Sequence, residues 1–276
     1  MNRIARLPVL VAVLAVMMVT LTGCDRLKAR DQLNKGVAAF KAGKYEEAIT
    51  HFQNAENLDP KLPTAKQYLA TALSQNVVPG LTTPENLKTA QQAIDTYQEV
   101  IAEDPTNVNS LKGVASLFFN IKKLDEARDW QKKVLALDPK DAEAAYWVGL
   151  IDWTEAHENL MKMTGNNDDG AGNVKLLTKN NCAEIQKENA PLVEEGLKYL
   201  NMAIDNRPGY DDAMSYLNLT YRRKADVDCG NEDARKDDVA KATEWSQKAM
   251  GTRKENEAKK DKGPGGITLD SNGNMK

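Results

Sequence analysis

Two patterns of apolar and polar positions divide the chain. Residues 1–6 hold two arginines and no acid, and residues 7–19 are then almost wholly apolar, broken only by Pro8. About thirteen apolar residues fall short of the ~20 that a helix needs to cross ~30 Å of hydrocarbon, but they suit the core of a secretory leader. Beyond residue 28 the pattern changes to one that returns along the chain. Gly36 precedes Ala48 by twelve positions, Ala55 follows seven later, and Leu58-Asp59-Pro60 closes the unit. Ala115, Ala127, Val134 and Leu137-Asp138-Pro139 reproduce that spacing. Such a period is best read before any local motif, because it sets the architecture.

The pattern predicts pairs of helices joined by short turns. Two antiparallel helices approach closely only where small side chains lie between them, a role open to Gly36 and Ala48. Proline lacks an N–H and disfavours helix before it, so each unit ends there. Gly43 and Tyr45 fit the turn within the first pair. The second pair is predicted near residues 63–74 and 84–103, with Thr83 capping the latter ahead of Pro84. Pro105 to Pro139 is one uninterrupted period, whereas Pro139 to Pro208 is about two. That long unit holds Gly149 in its first helix, and Gly196 and Ala203 in its second. The last begins near Asp211 and pairs Asn218 with Ala242 and Ala249; asparagine is the poorest fit to a small-residue position.

These residues resemble the tetratricopeptide repeat, a 34-residue helix–turn–helix unit. Its small positions are met in the first unit by Gly36, Ala48 and Ala55, its aromatic by Phe52 and its proline by Pro60. The resemblance implies an all-α, right-handed α-solenoid of about five helix-turn-helix units, with insertions in units 2, 4 and 5. The units run about 29–62, 63–107, 108–141, 142–210 and 211–250, followed by a disordered tail over 251–276. No unit buries its apolar face alone, so neighbours must stack.

Leu21-Thr22-Gly23-Cys24 resembles the lipobox of bacterial lipoproteins. The resemblance implies cleavage of a signal peptide over residues 1–23 and lipidation of Cys24, with residues 24–28 a short linker. The expected location is the cell envelope, lipid-anchored and facing the periplasm, with inner and outer membrane undecided. Four or five extended residues reach less than roughly 20 Å, so the first repeat should ride close to the membrane. Cys182 and Cys229 then remain as an even pair in an oxidising compartment. Both fall in insertions, those of units 4 and 5, and a disulfide between them is expected, with two independent thiols as the alternative.

Loss of the leader leaves 35 basic and 40 acidic side chains, a net of −5. That balance argues against a nucleic-acid or anionic-lipid binding face, which needs clustered positive charge. No catalytic constellation appears, so the chain reads as no enzyme, without cofactor or metal. His157-Glu158 opens like a zinc-protease motif, but Met161 occupies the position of the second histidine. Asp168-Asp169-Gly170 and the stretch from Asp270 to Asn274 lack the full ligand pattern of a calcium loop.

Function is therefore expected on the face formed by the first helix of each unit. The family's groove positions carry over to Phe40 and Lys41; Gln67 and Thr71; Lys112, Ser116 and Phe119; Tyr146, Leu150 and Trp153; and Ser215, Arg222 and Arg223. Aromatic anchors beside Lys and Arg are the residue types that dominate binding hot spots. Leu33 and Val37 stand where the family's carboxylate-gripping subclass has Lys and Asn, which argues against that mode. The reading is a membrane-anchored scaffold that binds envelope proteins or extended peptide segments. The alternatives are that Tyr146 and Trp153 pack against the unit-4 insertion, or that Tyr146, Trp147 and Trp153 line a small-ligand or glycan pocket there.

Overall fold

The computed structural model describes residues 6–165 and 179–261, with side chains from Cys24 onward. The described residues form ten helices and no strand. They are α1 (Arg6–Lys41), α2 (Tyr45–Leu58), α3 (Pro63–Gln75), α4 (Pro84–Glu103), α5 (Val108–Asn120), α6 (Leu124–Leu137), α7 (Ala142–Thr164), α8 (Lys179–Asn206), α9 (Asp211–Val227) and α10 (Glu232–Asp261). Read in pairs, these are the five helix-turn-helix units of an α-solenoid. Two compact bodies, residues 1–130 and 131–276, divide the chain within α6.

In the first body, successive helices from α1 to α5 pack on one another. Ala39, Ala48, Ile49, Phe52, Leu69 and Ala72 form one core cluster. A second holds Ala90, Ile94, Tyr97, Val114 and Leu117, with Trp130 packed against it. Gly36 shows why the small position matters: a Cβ there would lie 2.5 Å from the Phe52 ring. The partner that demands glycine is thus the aromatic one turn beyond Ala48.

The two kinds of turn recur with the period. Within units 1 and 3, the N–H groups of Lys44 and Lys123 reach back to the carbonyls of Ala39 and Phe118, at 3.0 and 2.9 Å. The residue before each takes a left-handed conformation, Gly43 at φ 73° and Lys122 at φ 64°, as this kind of helix end requires. Between units, Asp59, Asp104 and Asp138 accept from the N–H two residues on, at 3.2, 3.0 and 2.9 Å. An aspartate that folds onto its own backbone ahead of the next helix is ordinary turn chemistry.

The insertions take two forms. In unit 2 the extra residues make a loop held by Asn86, only 6% exposed. Its amide accepts from the Val78 N–H at 2.8 Å and donates to the Val78 and Leu81 carbonyls at 3.0 and 2.7 Å. Thr83 caps α4 by accepting from the Asn86 N–H at 3.4 Å. In unit 4 the helices simply lengthen, to 23 residues in α7 and 28 in α8. Leu160 and Ile185 are fully buried where those extensions meet, against Met161, Met163 and Val227. The polar stretch 166–173, with Asp168-Asp169-Gly170, lies outside the described residues.

Two expectations change. Residues 24–28 are not an extended linker but part of α1. No glycine or proline lies between Asp25 and Lys35 to break a helix, and Lys28 pairs with Asp25 at 3.4 Å. Nor does the fifth unit end at Met250: α10 continues to Asp261. Arg253 reaches Asp211 at 2.7 Å and Asp212 at 3.1 Å, and Asn256 donates to the Gly209 carbonyl at 3.0 Å. That stretch is therefore fastened to the start of α9, and residues 262–276, with the segment from Asp270, lie outside the described residues. Asn218, the poorly fitting small position, sits half-buried and accepts from Arg222 Nε at 3.2 Å. A polar residue is tolerated there because it keeps a partner and some solvent.

Candidate functional site

The first helices of each pair carry the residues singled out by position. In the first body, Phe40 is half-buried and tilts over Tyr45 at 5.4 Å, with Lys41 exposed beside it. Gln67 and Thr71 follow on α3, both half-buried. The Thr71 hydroxyl donates to the Gln67 carbonyl at 2.8 Å and accepts from Tyr97 at 3.1 Å. Burial raises the Tyr97 phenol, and its hydrogen bonds to Thr71 and Ser74 only partly offset that. On α5, Lys112 and Phe119 are half-buried and Ser116 is exposed. These seven side chains are polar or aromatic and remain in reach of solvent.

In the second body the same positions collect aromatic rings. Tyr146 and Trp153 on α7 are seven residues apart, which returns them to one face of a helix. Tyr216 on α9 wedges between them, 5.7 Å from Tyr146 and 5.3 Å from Trp153, edge-on to both. Tyr210 packs on Tyr146 at 5.0 Å and carries the Arg207 guanidinium at 4.2 Å. Edge-to-face pairs at such distances add about 0.5–1.5 kcal/mol each beyond area burial. Tyr146 and Trp153 are thus engaged by α9, the first helix of the next unit.

The three phenols sit in an acidic field. Burial, then Tyr216, Tyr210 and Asp212, raise Tyr146. Burial also pushes Tyr210 up to about 12; Arg207 opposes this, while Glu143, Asp212 and Asp141 add to it. Tyr216 moves the same way, through burial and Asp212. All three hydroxyls therefore keep their protons near neutral pH and can act as donors.

Two positions leave the surface. Leu150 is 7% exposed and belongs to the core. Arg223 is 3% exposed and faces Asp226, itself 1% exposed, at 3.3 Å. Its guanidinium also approaches His157 Nδ1 at 3.3 Å, and that imidazole stacks flat on Trp153 at 5.1 Å. Arg223 falls on the flank of α9 that meets α7, so it serves packing and not a ligand. Its neighbour Arg222 stays half-buried on the outer flank, next to Ser215, whose hydroxyl donates to the Asp211 carbonyl at 2.9 Å.

Positional reasoning missed Tyr210, Tyr216 and His157. Trp153 and His157 are four apart on one helix face, which was a signal available in the sequence. Tyr216 was not, because its position normally serves packing.

Cys182, near the start of α8, and Cys229, in the α9–α10 turn, form a disulfide with 5.8 Å between Cα atoms. Cys24 is free and exposed.

Comparison with known proteins agrees with this arrangement. Two family models, both described as tetratricopeptide repeat, match residues 29–62 and 90–151. A DnaJ homolog subfamily C member 7 homolog of Schizosaccharomyces pombe is 30% identical over 136 residues, 46% of this chain and 27% of that protein. The chain thus spans about a quarter of that relative's length. Among solved structures, residues 41-end of MamA from Desulfovibrio magneticus RS-1 superpose with a TM-score of 0.54 at 18% identity. The match covers 83% of this chain and 96% of that one. A further crystal structure of MamA gives 0.51 at 16% identity, over 81% and 96%. At such identities the likeness is one of fold.

Proposed function

From the premise that this is a tetratricopeptide-repeat protein, we propose that it is a lipid-anchored scaffold of the bacterial envelope. It binds partner proteins, as extended segments, along the first helices of its units. The observation that carries the reading is the distribution of side chains on those helices. Phe40, Lys41, Gln67 and Thr71 in one body, and Arg222 in the other, lie on that face without being consumed by the core, while Tyr146 and Trp153 stay half-buried beside Tyr216. Large amphipathic rings beside cations and amide groups are suited to protein contacts, because they bury area at low entropic cost. The anchoring half of the reading rests on Leu21-Thr22-Gly23-Cys24 and the charged, then apolar, leader before it.

Photo-crosslinking in native membranes tests the scaffold. Benzoylphenylalanine at Lys41, Gln67 or Arg222 should trap the same envelope protein or proteins. The same probe at Asp95 or Lys241, on second helices, should not. Equal trapping from both sets would move the interface off the first helices.

A further inference from the structure

We propose that the end of the first repeat that bears Cys24 is a membrane footprint which seats a zwitterionic phospholipid headgroup. The inference rests on the reading of Cys24 as the lipidated residue and deepens it. Residues 24–28 are helical and run without a loop into Ala29, which is fully buried. The anchor therefore has no flexible tether, and the orientation of the repeat follows that of its first helix. α2 runs back antiparallel and returns the turn at residues 59–61 to the same end, where Arg26 Nε lies 3.6 Å from Asp59.

Between these two segments is an open cavity of about 460 Å³, lined by Asp25, Arg26, Leu58, Asp59, Pro60 and Lys61. The polar layer on each side of a bilayer is ~5–7 Å thick, and one helical turn advances ~5.4 Å. With the cysteine's chains in the leaflet, Arg26 and the turn beside it fall within that layer. The chemistry matches the depth. Arg26 and Lys61 supply two cations for a phosphate, while Asp25 and Asp59 keep the cavity neutral overall, which suits a zwitterion better than a bare anion. Leu27, 72% exposed, lies one turn from the cysteine. There it gains an apolar contact at the acyl boundary that the aqueous protein does not offer it. The first helix then stands upright, and the turn at Gly43 is held ~25 Å or more from the surface, from the helical rise alone.

The test uses the lipidated full chain, purified from membranes and reconstituted into phosphatidylethanolamine–phosphatidylglycerol vesicles. A nitroxide is placed at Lys61→Cys in one sample and at Lys44→Cys in another. Collision with oxygen and with a water-soluble nickel chelate reports depth. The label at 61 should be several-fold less accessible to nickel than the label at 44, and more accessible to oxygen. Adding Arg26→Glu should move the label at 61 toward the aqueous value, with circular dichroism confirming the fold. Equal accessibility at 61 and 44, or no response to Arg26→Glu, overturns the headgroup seat while leaving the anchor intact. The mass of the N-terminal peptide reads the anchor separately. An unacylated Cys24 sinks the lipoprotein reading and takes the footprint with it.

Discussion

Gly36 and Lys122 are the residues at which local geometry decides most. A methyl group at Gly36 would meet the Phe52 ring at 2.5 Å, and Phe52 is fully buried. Overpacking of this kind costs about 1–3 kcal/mol. Gly36→Ala should lower the urea midpoint accordingly, and an unchanged midpoint would mean the ring has room to move. Lys122 holds the left-handed conformation that Gly43 holds in the equivalent turn. That conformation costs a residue with a Cβ about 1 kcal/mol. Lys122→Gly should therefore raise stability by several tenths of a kcal/mol in the same assay, while Gly43→Lys should lower it.

Asp211 makes a residue-scale statement about pH. Burial raises its carboxyl, but Arg253 and Asn256 outweigh that and hold it below the ordinary aspartate value. A group whose folded value is depressed stabilises above its unfolded value of about 3.9 and loses that contribution as pH falls through the folded one. Arg253 is half exposed, so the pair is worth under about 1 kcal/mol. Arg253→Ala should cost that much at pH 7, and the gap from wild type should close as the pH falls through the depressed value of Asp211. A gap that persists in acid would assign the loss to packing.

At the scale of elements, the long fourth and fifth units depend on fastening as well as burial. Residues 251–261 extend α10 past the body of the repeat and hold the first turn of α9. The disulfide ties the start of α8 to the α9–α10 turn across 47 residues of sequence. On the chain-entropy model, closing such a loop stabilises by roughly 4 kcal/mol, an upper value where the reduced chain keeps structure. Reduction should therefore lower the unfolding free energy of the second body by up to that amount. Hydrogen exchange should speed up first near residues 179–190 and 226–232. Uniform acceleration along the chain would contradict this local role.

At the scale of the molecule, the period sets both architecture and chemistry. No pair buries its apolar face alone, so each depends on its neighbours. Residues 24–276 carry a net charge of −5, so retention on nucleic acid at physiological salt is not expected. A gel-shift titration checks this, and a salt-dependent shift would reveal a basic face that the composition hides.

The all-α class and the pairing of helices were legible in the sequence, because they depend on local physics: small residues where helices touch and prolines that end them. The helical start of the first repeat and the continuation of α10 to Asp261 were not. The surface was only partly legible. Phe40 and Arg222 are half-buried and Lys41 is exposed, while Tyr146 and Trp153 are half-buried against Tyr216. Which side of a helix becomes surface depends on what the next helix covers, and only packing decided that. Tyr216 inserts between two expected groove rings, and Arg223 turns inward to Asp226 and His157. One step of about 100° around a helix separates Arg222 from Arg223. That step puts one at the surface and the other in the core, and no spacing rule for a solenoid with lengthened helices resolves it.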